Sequence, residues 1–75
     1  MTEARDDRGD PVVVNGQPEP AAAGQSLQAF VAAAGYVLDR IAIELNGDIV
    51  PKAAYSERLL RAGDRLEIVQ FMGGG

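Results

Sequence analysis

One amphipathic helical segment set among strand-like segments constrains the fold of this chain most. Its apolar residues recur at spacings of three and four and form one stripe: Leu27, Phe30, Val31 and Ala34. Ser26 can cap the first turn of this helix, and Gly35 can end it in the left-handed conformation. Because one helix covers one face of a sheet, the opposite face is left to solvent or to a partner.

A β-hairpin is predicted before the helix. The β-branched run at residues 12–14 is followed by Asn15-Gly16, a dipeptide typical of the type I′ turn. The returning segment contains Pro18 and Pro20, which have no amide proton to donate. We therefore expect a short strand at the edge of the sheet.

Further strands are predicted after the helix. Alternating apolar residues indicate a half-buried strand at 41–45, a turn at 46–48 and a short strand at 49–50. Residues 52–60 suit one helical turn that packs Tyr55 and either Leu59 or Leu60. A turn at 62–64 then leads into a final strand over residues 65–72. This order predicts a two-layer α+β domain whose mixed sheet has four to five strands and one main helix on one face.

Composition excludes several classes of function. The 75 residues include no cysteine and no histidine, which excludes a disulfide framework, a thiol nucleophile and a histidine base. A net charge of -4 argues against nucleic-acid binding. The first ten residues are acidic and lack an apolar pattern, so they are predicted to be a disordered extension rather than a signal peptide. No apolar run is long enough to cross a membrane, and a cytoplasmic protein is expected.

The last strand runs directly into a tail of three glycines. Leu66 and Ile68 are assigned to the core, beside Val12 and Val14, while Val69 and Phe71, together with Val13, are assigned to the open face. Exposed apolar side chains on so small a protein suggest a docking patch. The alternative is that loops fold over them.

The tail itself carries the remaining reactive group, a terminal carboxylate. Gly73, Gly74 and Gly75 lack Cβ atoms, and such a thin segment can enter a narrow channel in another protein. A carboxylate is a poor electrophile, and it needs activation, most simply as an acyl-adenylate made from ATP. A sulfur nucleophile would then give a thiocarboxylate, and an amine would give an amide.

The segments "VVVNGQP", "LNGDIVP" and "AGDRLEIVQFMGGG" resemble the ThiS family of thiamine-biosynthesis sulfur carriers, which have the ubiquitin-like β-grasp fold. The resemblance covers residues 12–75. It implies a β-grasp domain over 11–72 and a flexible tail over 73–75. It also implies that Gly75 becomes the adenylate and then the thiocarboxylate, and that Gly73 and Gly74 enter the partners' active sites. The candidate docking residues, Val69, Phe71 and Met72, are predicted from the geometry of the last strand and not from the resemblance.

The resemblance further implies three partners: a ThiF-like adenylyltransferase, a sulfur-donor protein and a ThiG-like thiazole synthase. The chain would be a carrier and not an enzyme. It would bind no cofactor or metal of its own, and ATP with Mg would belong to the activating partner. In this reading neither a nucleic acid nor a membrane is a partner.

Three alternatives remain open. A molybdopterin synthase small subunit or a protein modifier would share the fold and the glycine end. An adaptor domain with an inert tail is a third. A free-standing enzyme is disfavoured, because Asp48, Asp64 and Glu67 lie in turns or on a strand surface and form no convergent acid/base pair.

Overall fold

The computed structural model describes residues 10–71, in which five strands form one mixed sheet. The strands are β1 Val12–Val14, β2 Gln17–Glu19, β3 Ile41–Leu45, β4 Asp48–Ile49 and β5 Arg65–Gln70. Helix α1 spans Leu27–Ala33, and short 3-10 helices span Pro20–Ala22, Leu38–Arg40 and Lys52–Ala54. Residues 1–9 and 72–75 lie outside the described residues. The predicted α+β class is confirmed.

The last strand in the chain lies at the centre of the sheet. The strand order is β2-β1-β5-β3-β4. Strand β5 runs parallel to β1, while every other neighbouring pair is antiparallel. A segment that reaches the end of the chain through the middle of the sheet is therefore supported from both sides.

The predicted hairpin is confirmed. Asn15 and Gly16 have φ angles of 50° and 84°, the positive values that a type I′ turn requires at both central positions. Strand β2 has three residues, all exposed, and it lies at the edge of the sheet. Pro18 can stand there because the outer side of an edge strand needs no amide donor.

The caps of helix α1 are also as predicted. The Ser26 hydroxyl accepts a hydrogen bond from the Ala29 backbone N–H at 3.0 Å, and Gly35 has a φ of 97°. Leu27 and Val31 are buried, and Phe30 packs against the core. The placement of Ala34 in the apolar stripe is wrong. The helix ends at Ala33, so Ala34 is its exposed C-cap and does not reach the core.

The remaining segments differ from the predictions in detail. Strand β4 begins one residue early, because Asn46 and Gly47 complete the turn and Asp48 already pairs with Leu45. Of the two leucines considered for the core, Leu60 is buried and Leu59 is exposed. Tyr55 is buried as expected. Helix α1 and the 52–60 segment thus close one face of the sheet, over a core that consists of Val12, Val14, Ala22, Leu27, Val31, Ile41, Ile43, Leu45, Tyr55, Leu60, Leu66 and Ile68.

Candidate functional site

Strand β5 divides its side chains between two environments. Leu66 and Ile68 are 1% and 7% exposed on the covered face, next to β1 and β3. Val69 and Phe71 point the other way and are 57% and 55% exposed. The predicted exposure of Val69 and Phe71 is confirmed, and no loop of the described chain buries them. Their role in docking stays a prediction.

The sheet surface opposite α1 is called the open face here. The register of the strands arranges it in rows, because directly paired residues have side chains on the same side. Ala42 is paired with Val69, and Glu44 is paired both with Glu67 and with Ile49. The open face consists of Val13, Pro18, Ala42, Glu44, Ile49, Arg65, Glu67, Val69 and Phe71. It mixes exposed apolar side chains with two directly opposed carboxylates.

Strand β5 is held in the sheet up to its last described residue. The Phe71 N–H donates to the Arg40 carbonyl at 2.7 Å, which continues the β3–β5 ladder past Gln70. The tail residues Gly73, Gly74 and Gly75, and also Met72, follow this point and lie outside the described residues. The described backbone is thus held in the sheet up to Phe71, two positions before the first glycine of the tail.

The side chain of Asn15 holds the other edge of β5. Its Oδ1 accepts from the Ile68 N–H at 2.7 Å, and its Nδ2 donates to the Ile68 carbonyl at 3.3 Å. Strand β1 ends at Val14, so this amide takes the place of the next backbone unit in the parallel ladder. The sequence indicates a role for Asn15 in the turn. It gives no sign of the side-chain bonds to Ile68, which lies 53 positions away.

The three carboxylates considered for catalysis are in two different settings. Asp64 is buried, and it accepts hydrogen bonds from the Asn46 side-chain amide at 3.0 Å and from the Arg61 N–H at 2.9 Å. These bonds satisfy the buried carboxylate and fix the loop that enters β5, which is a structural role. Asp48 and Glu67 are exposed. Among residues 10–71 no three His, Cys, Asp or Glu side chains are grouped to hold a metal ion.

An ion pair supports the turn beside Phe71. The Lys52 ammonium donates to the Asp39 carboxylate and joins the 3-10 helix Leu38–Arg40 to the 3-10 helix Lys52–Ala54. This hydrogen bond, together with the Lys52 charge, lowers the pKa of the Asp39 carboxyl below its ordinary value. Arg40, whose carbonyl accepts from Phe71, belongs to the first of these helices.

A shallow groove lies near the opposite end of β5. Its lining consists of Glu57, Arg58, Leu59 and Arg61. Arg58 also lies 3.7 Å from the Asp64 carboxylate, at the start of the strand. Asp64 and Phe71 are seven positions apart, about 23 Å in an extended strand, so the groove and Phe71 lie at opposite ends of β5.

A family model described as the ThiS family matches residues 12–75 of the chain. The match includes the hairpin, the sheet and the three final glycines. The predicted resemblance is therefore confirmed.

Curated relatives include two proteins named thiazole synthase. One, from Paramagnetospirillum magneticum, is 38% identical over 64 residues, and one from Magnetococcus marinus is 34% identical over 62 residues. These matches cover 85% and 83% of this chain but only 20% and 19% of the two relatives. The chain thus spans about a fifth of the length of either protein.

Solved structures of a thiamine biosynthesis protein (ThiS) from Geobacter metallireducens have a similar fold. The crystal structure has a TM-score of 0.69 at 28% identity, and it matches over 85% of this chain and 97% of its own. The solution structure has a TM-score of 0.70, with 87% of each chain covered. Within residues 10–71 no helix has the length and apolar character needed to cross a membrane.

Proposed function

The chain belongs to the ThiS family, and we propose that it is the sulfur carrier for synthesis of the thiamine thiazole ring. In this proposal the carboxylate of Gly75 is the group that carries sulfur. The observation that supports it most is the family match, which extends through the sheet into the Gly-Gly-Gly end.

The chemistry has two steps. An adenylyltransferase of the ThiF type joins the Gly75 carboxylate to AMP from ATP and releases pyrophosphate, with Mg and ATP bound by that partner. Hydrosulfide that a donor protein supplies then attacks the acyl carbon and loses its proton, the bond from that carbon to the oxygen of AMP breaks, and AMP leaves. The product is a thiocarboxylate, whose sulfur passes to a thiazole synthase.

The chain's own contribution is to present the tail. Strand β5 is held by β3 on one side and by β1 and Asn15 on the other, which gives the tail a defined origin at Phe71. Gly73 and Gly74 lack side chains, and this suits passage through a narrow channel to a partner's active site. Val69 and Phe71 provide exposed apolar area beside that origin for docking, and we assign the following residue, Met72, to the same contact.

The thiazole synthase relatives support the choice of partner. In both, a segment similar to this chain is part of a polypeptide named for thiazole synthesis. Covalent connection holds two modules at a high effective concentration, which is useful when they act on each other. We therefore propose a thiazole synthase as the acceptor of the sulfur.

Intact-mass measurement tests the proposal. The chain is incubated with ATP, its adenylyltransferase and a sulfur donor, and replacement of one oxygen by sulfur adds roughly 16 Da if the terminal carboxylate is the activated group. A variant without Gly74 and Gly75 keeps every described residue and should gain no mass. An unchanged mass of the full chain, with partners that are active on another carrier, would contradict the proposal. An isopeptide adduct on other proteins would identify a modifier instead.

A further inference from the structure

Two carboxylates oppose each other on the open face. Glu44 of β3 and Glu67 of β5 are directly paired across the antiparallel ladder. Both side chains are exposed, and alternation along each strand places them on the side away from the core residues Ile43, Leu45, Leu66 and Ile68. Like charges directly opposite each other destabilise a sheet.

No cation within the described chain neutralises this pair. Among residues 10–71 neither Glu44 nor Glu67 has a Lys or Arg nitrogen within ion-pair distance. Arg65 shares the open face and lies two positions before Glu67, yet it forms no ion pair with it in the described region. Within residues 10–71 only solvent screening offsets the repulsion, and a cation from another molecule would relieve it.

The side chains around the pair describe the cation that fits. Ile49 is paired with Glu44 on one side, and the next row of the sheet is Ala42 opposite Val69. A guanidinium has five donors in one plane and can bridge two carboxylates, while its three-carbon stem can lie on apolar neighbours. A metal ion fits less well, because the described residues supply no third ligand nearby.

We propose that the Glu44–Glu67 pair receives an arginine side chain of the thiazole synthase that accepts sulfur from the tail. This inference rests on the proposed function and adds to it the chemistry of the docking partner. The arginine stem lies over Ala42 and Val69, and its guanidinium bridges the two carboxylates.

A second copy of the chain is the other simple occupant of this face. A two-fold contact through the open face would bring two Glu44–Glu67 pairs together, with four carboxylates in one interface. The chain also has a net charge of -4, which adds to the repulsion between copies. A basic partner would neutralise the two carboxylates, whereas a second copy would double the number of carboxylates in the interface.

The Glu44–Glu67 pair lies a short distance before the tail along β5. Glu67 lies four residues before Phe71, about 13 Å along an extended strand. An arginine bound there fixes the position of β5 on the partner, and so sets how deeply the following tail can enter. Complementary charge also speeds encounter and favours this partner over others.

Binding measurements with glutamine variants test the inference. The affinity of the full chain for its thiazole synthase is measured at about 50 mM and about 500 mM salt, for wild type, Glu44→Gln, Glu67→Gln and the double variant. We expect the double variant to bind roughly tenfold more weakly at low salt and to lose most of the salt dependence. Glu57→Gln removes an exposed charge outside the open face and should bind like the wild type.

The stability of the double variant is the control, and it should change in the opposite direction to the affinity. Removal of the repulsion should leave the double variant as stable as the wild type or raise its unfolding midpoint by about 2 °C, so weaker binding cannot come from unfolding. Equal affinity and equal salt dependence of the double variant would overturn the inference, as would absence of any wild-type binding to the synthase. Self-association of the wild type that the double variant abolishes would assign the face to a second copy and also overturn it.

The mass measurement separates the two proposals. If the wild-type chain acquires the thiocarboxylate and the double variant acquires it equally, the carrier function stands whatever the synthase affinities are. Failure of the wild type to gain sulfur contradicts the carrier function, and the salt-dependent affinity still decides the arginine contact.

Discussion

The covered face and the open face of the sheet are built from the same strands but have different consequences for the protein. Leu66 and Ile68 of β5 belong to the buried core that also includes residues of β1, β3 and α1, whereas Val69 and Phe71 are more than half exposed. Both sets are apolar. Hydrophobicity alone therefore does not tell which of these residues are buried. Alternation along the strand does, because successive side chains point to opposite faces of the sheet.

Truncation of the covered face should have the largest effect. Leu66→Ala removes a side chain that is 1% exposed and leaves a cavity at the centre of the sheet, which costs about 2–5 kcal/mol of the free energy of unfolding. A domain of this size has only about 3–5 kcal/mol in total, so much of the protein should be unfolded. Urea denaturation followed by circular dichroism measures this.

Val69→Ala on the same strand is the matched control. Its side chain is 57% exposed, and the free energy of unfolding should change by no more than about 0.5 kcal/mol. Equal destabilisation by Leu66→Ala and Val69→Ala would show that the open face is not open in solution, and the distinction between the faces would be lost.

Truncation of the open face should act on binding instead. Phe71→Ala removes exposed aromatic area beside the origin of the tail, and we expect roughly tenfold weaker affinity for the thiazole synthase, about 1.4 kcal/mol. The free energy of unfolding should be nearly unchanged, because the Phe71 backbone bond to Arg40 remains. Isothermal titration calorimetry measures the affinity.

Ile49→Ala, on β4 and also on the open face, tests how far the contact extends. Comparable loss of affinity for this variant would place β4 inside the interface. If Phe71→Ala binds like the wild type while Leu66→Ala still unfolds the domain, the open face is not a docking surface.

The support of β5, which carries residues of both faces, can be tested at Asn15. Asn15→Gly keeps the positive φ available but removes both side-chain bonds to Ile68, and we expect a loss of about 1 kcal/mol in the free energy of unfolding. Hydrogen exchange of the Ile68 amide should become faster. Gln17→Ala, in the same hairpin and exposed, serves as the control. An unchanged exchange rate at Ile68 would show that the amide does not replace a backbone unit of the ladder.

Local signals in the sequence predicted the fold well. Asn15-Gly16 needs positive φ at both positions, Ser26 supplies an acceptor to a free amide, and Gly35 allows the left-handed end of α1. Each of these depends on neighbours within a few residues. The errors concern the ends of elements. Helix α1 ends at Ala33, one residue before the predicted Ala34, and β4 begins at Asp48, one residue before the predicted start.

Features of the site that depend on long-range pairing could not be predicted. Alternation places Glu44 and Glu67 on one face, but only the register of β3 against β5 makes them direct neighbours. The hydrogen bonds from Asn15 to Ile68 and from Asn46 to the buried Asp64 likewise join segments that are distant in sequence. The roles of Gly73, Gly74 and Gly75 stay predictions, since they depend on chemistry in a partner.

The smallest effect is expected at the exposed Asp39–Lys52 ion pair, which joins two 3-10 helices outside the sheet. Because the pKa of Asp39 is lowered in the folded chain, the pair adds stability above the unfolded value of 3.8 and loses it as pH falls through the lower folded value. The difference in unfolding midpoint between wild type and Asp39→Asn should therefore be constant from about pH 7 to about pH 5 and then shrink in acid. High salt should reduce it at every pH, since both side chains are exposed. Asp48→Asn is the control, and a difference that grows as the pH falls would contradict the ion pair.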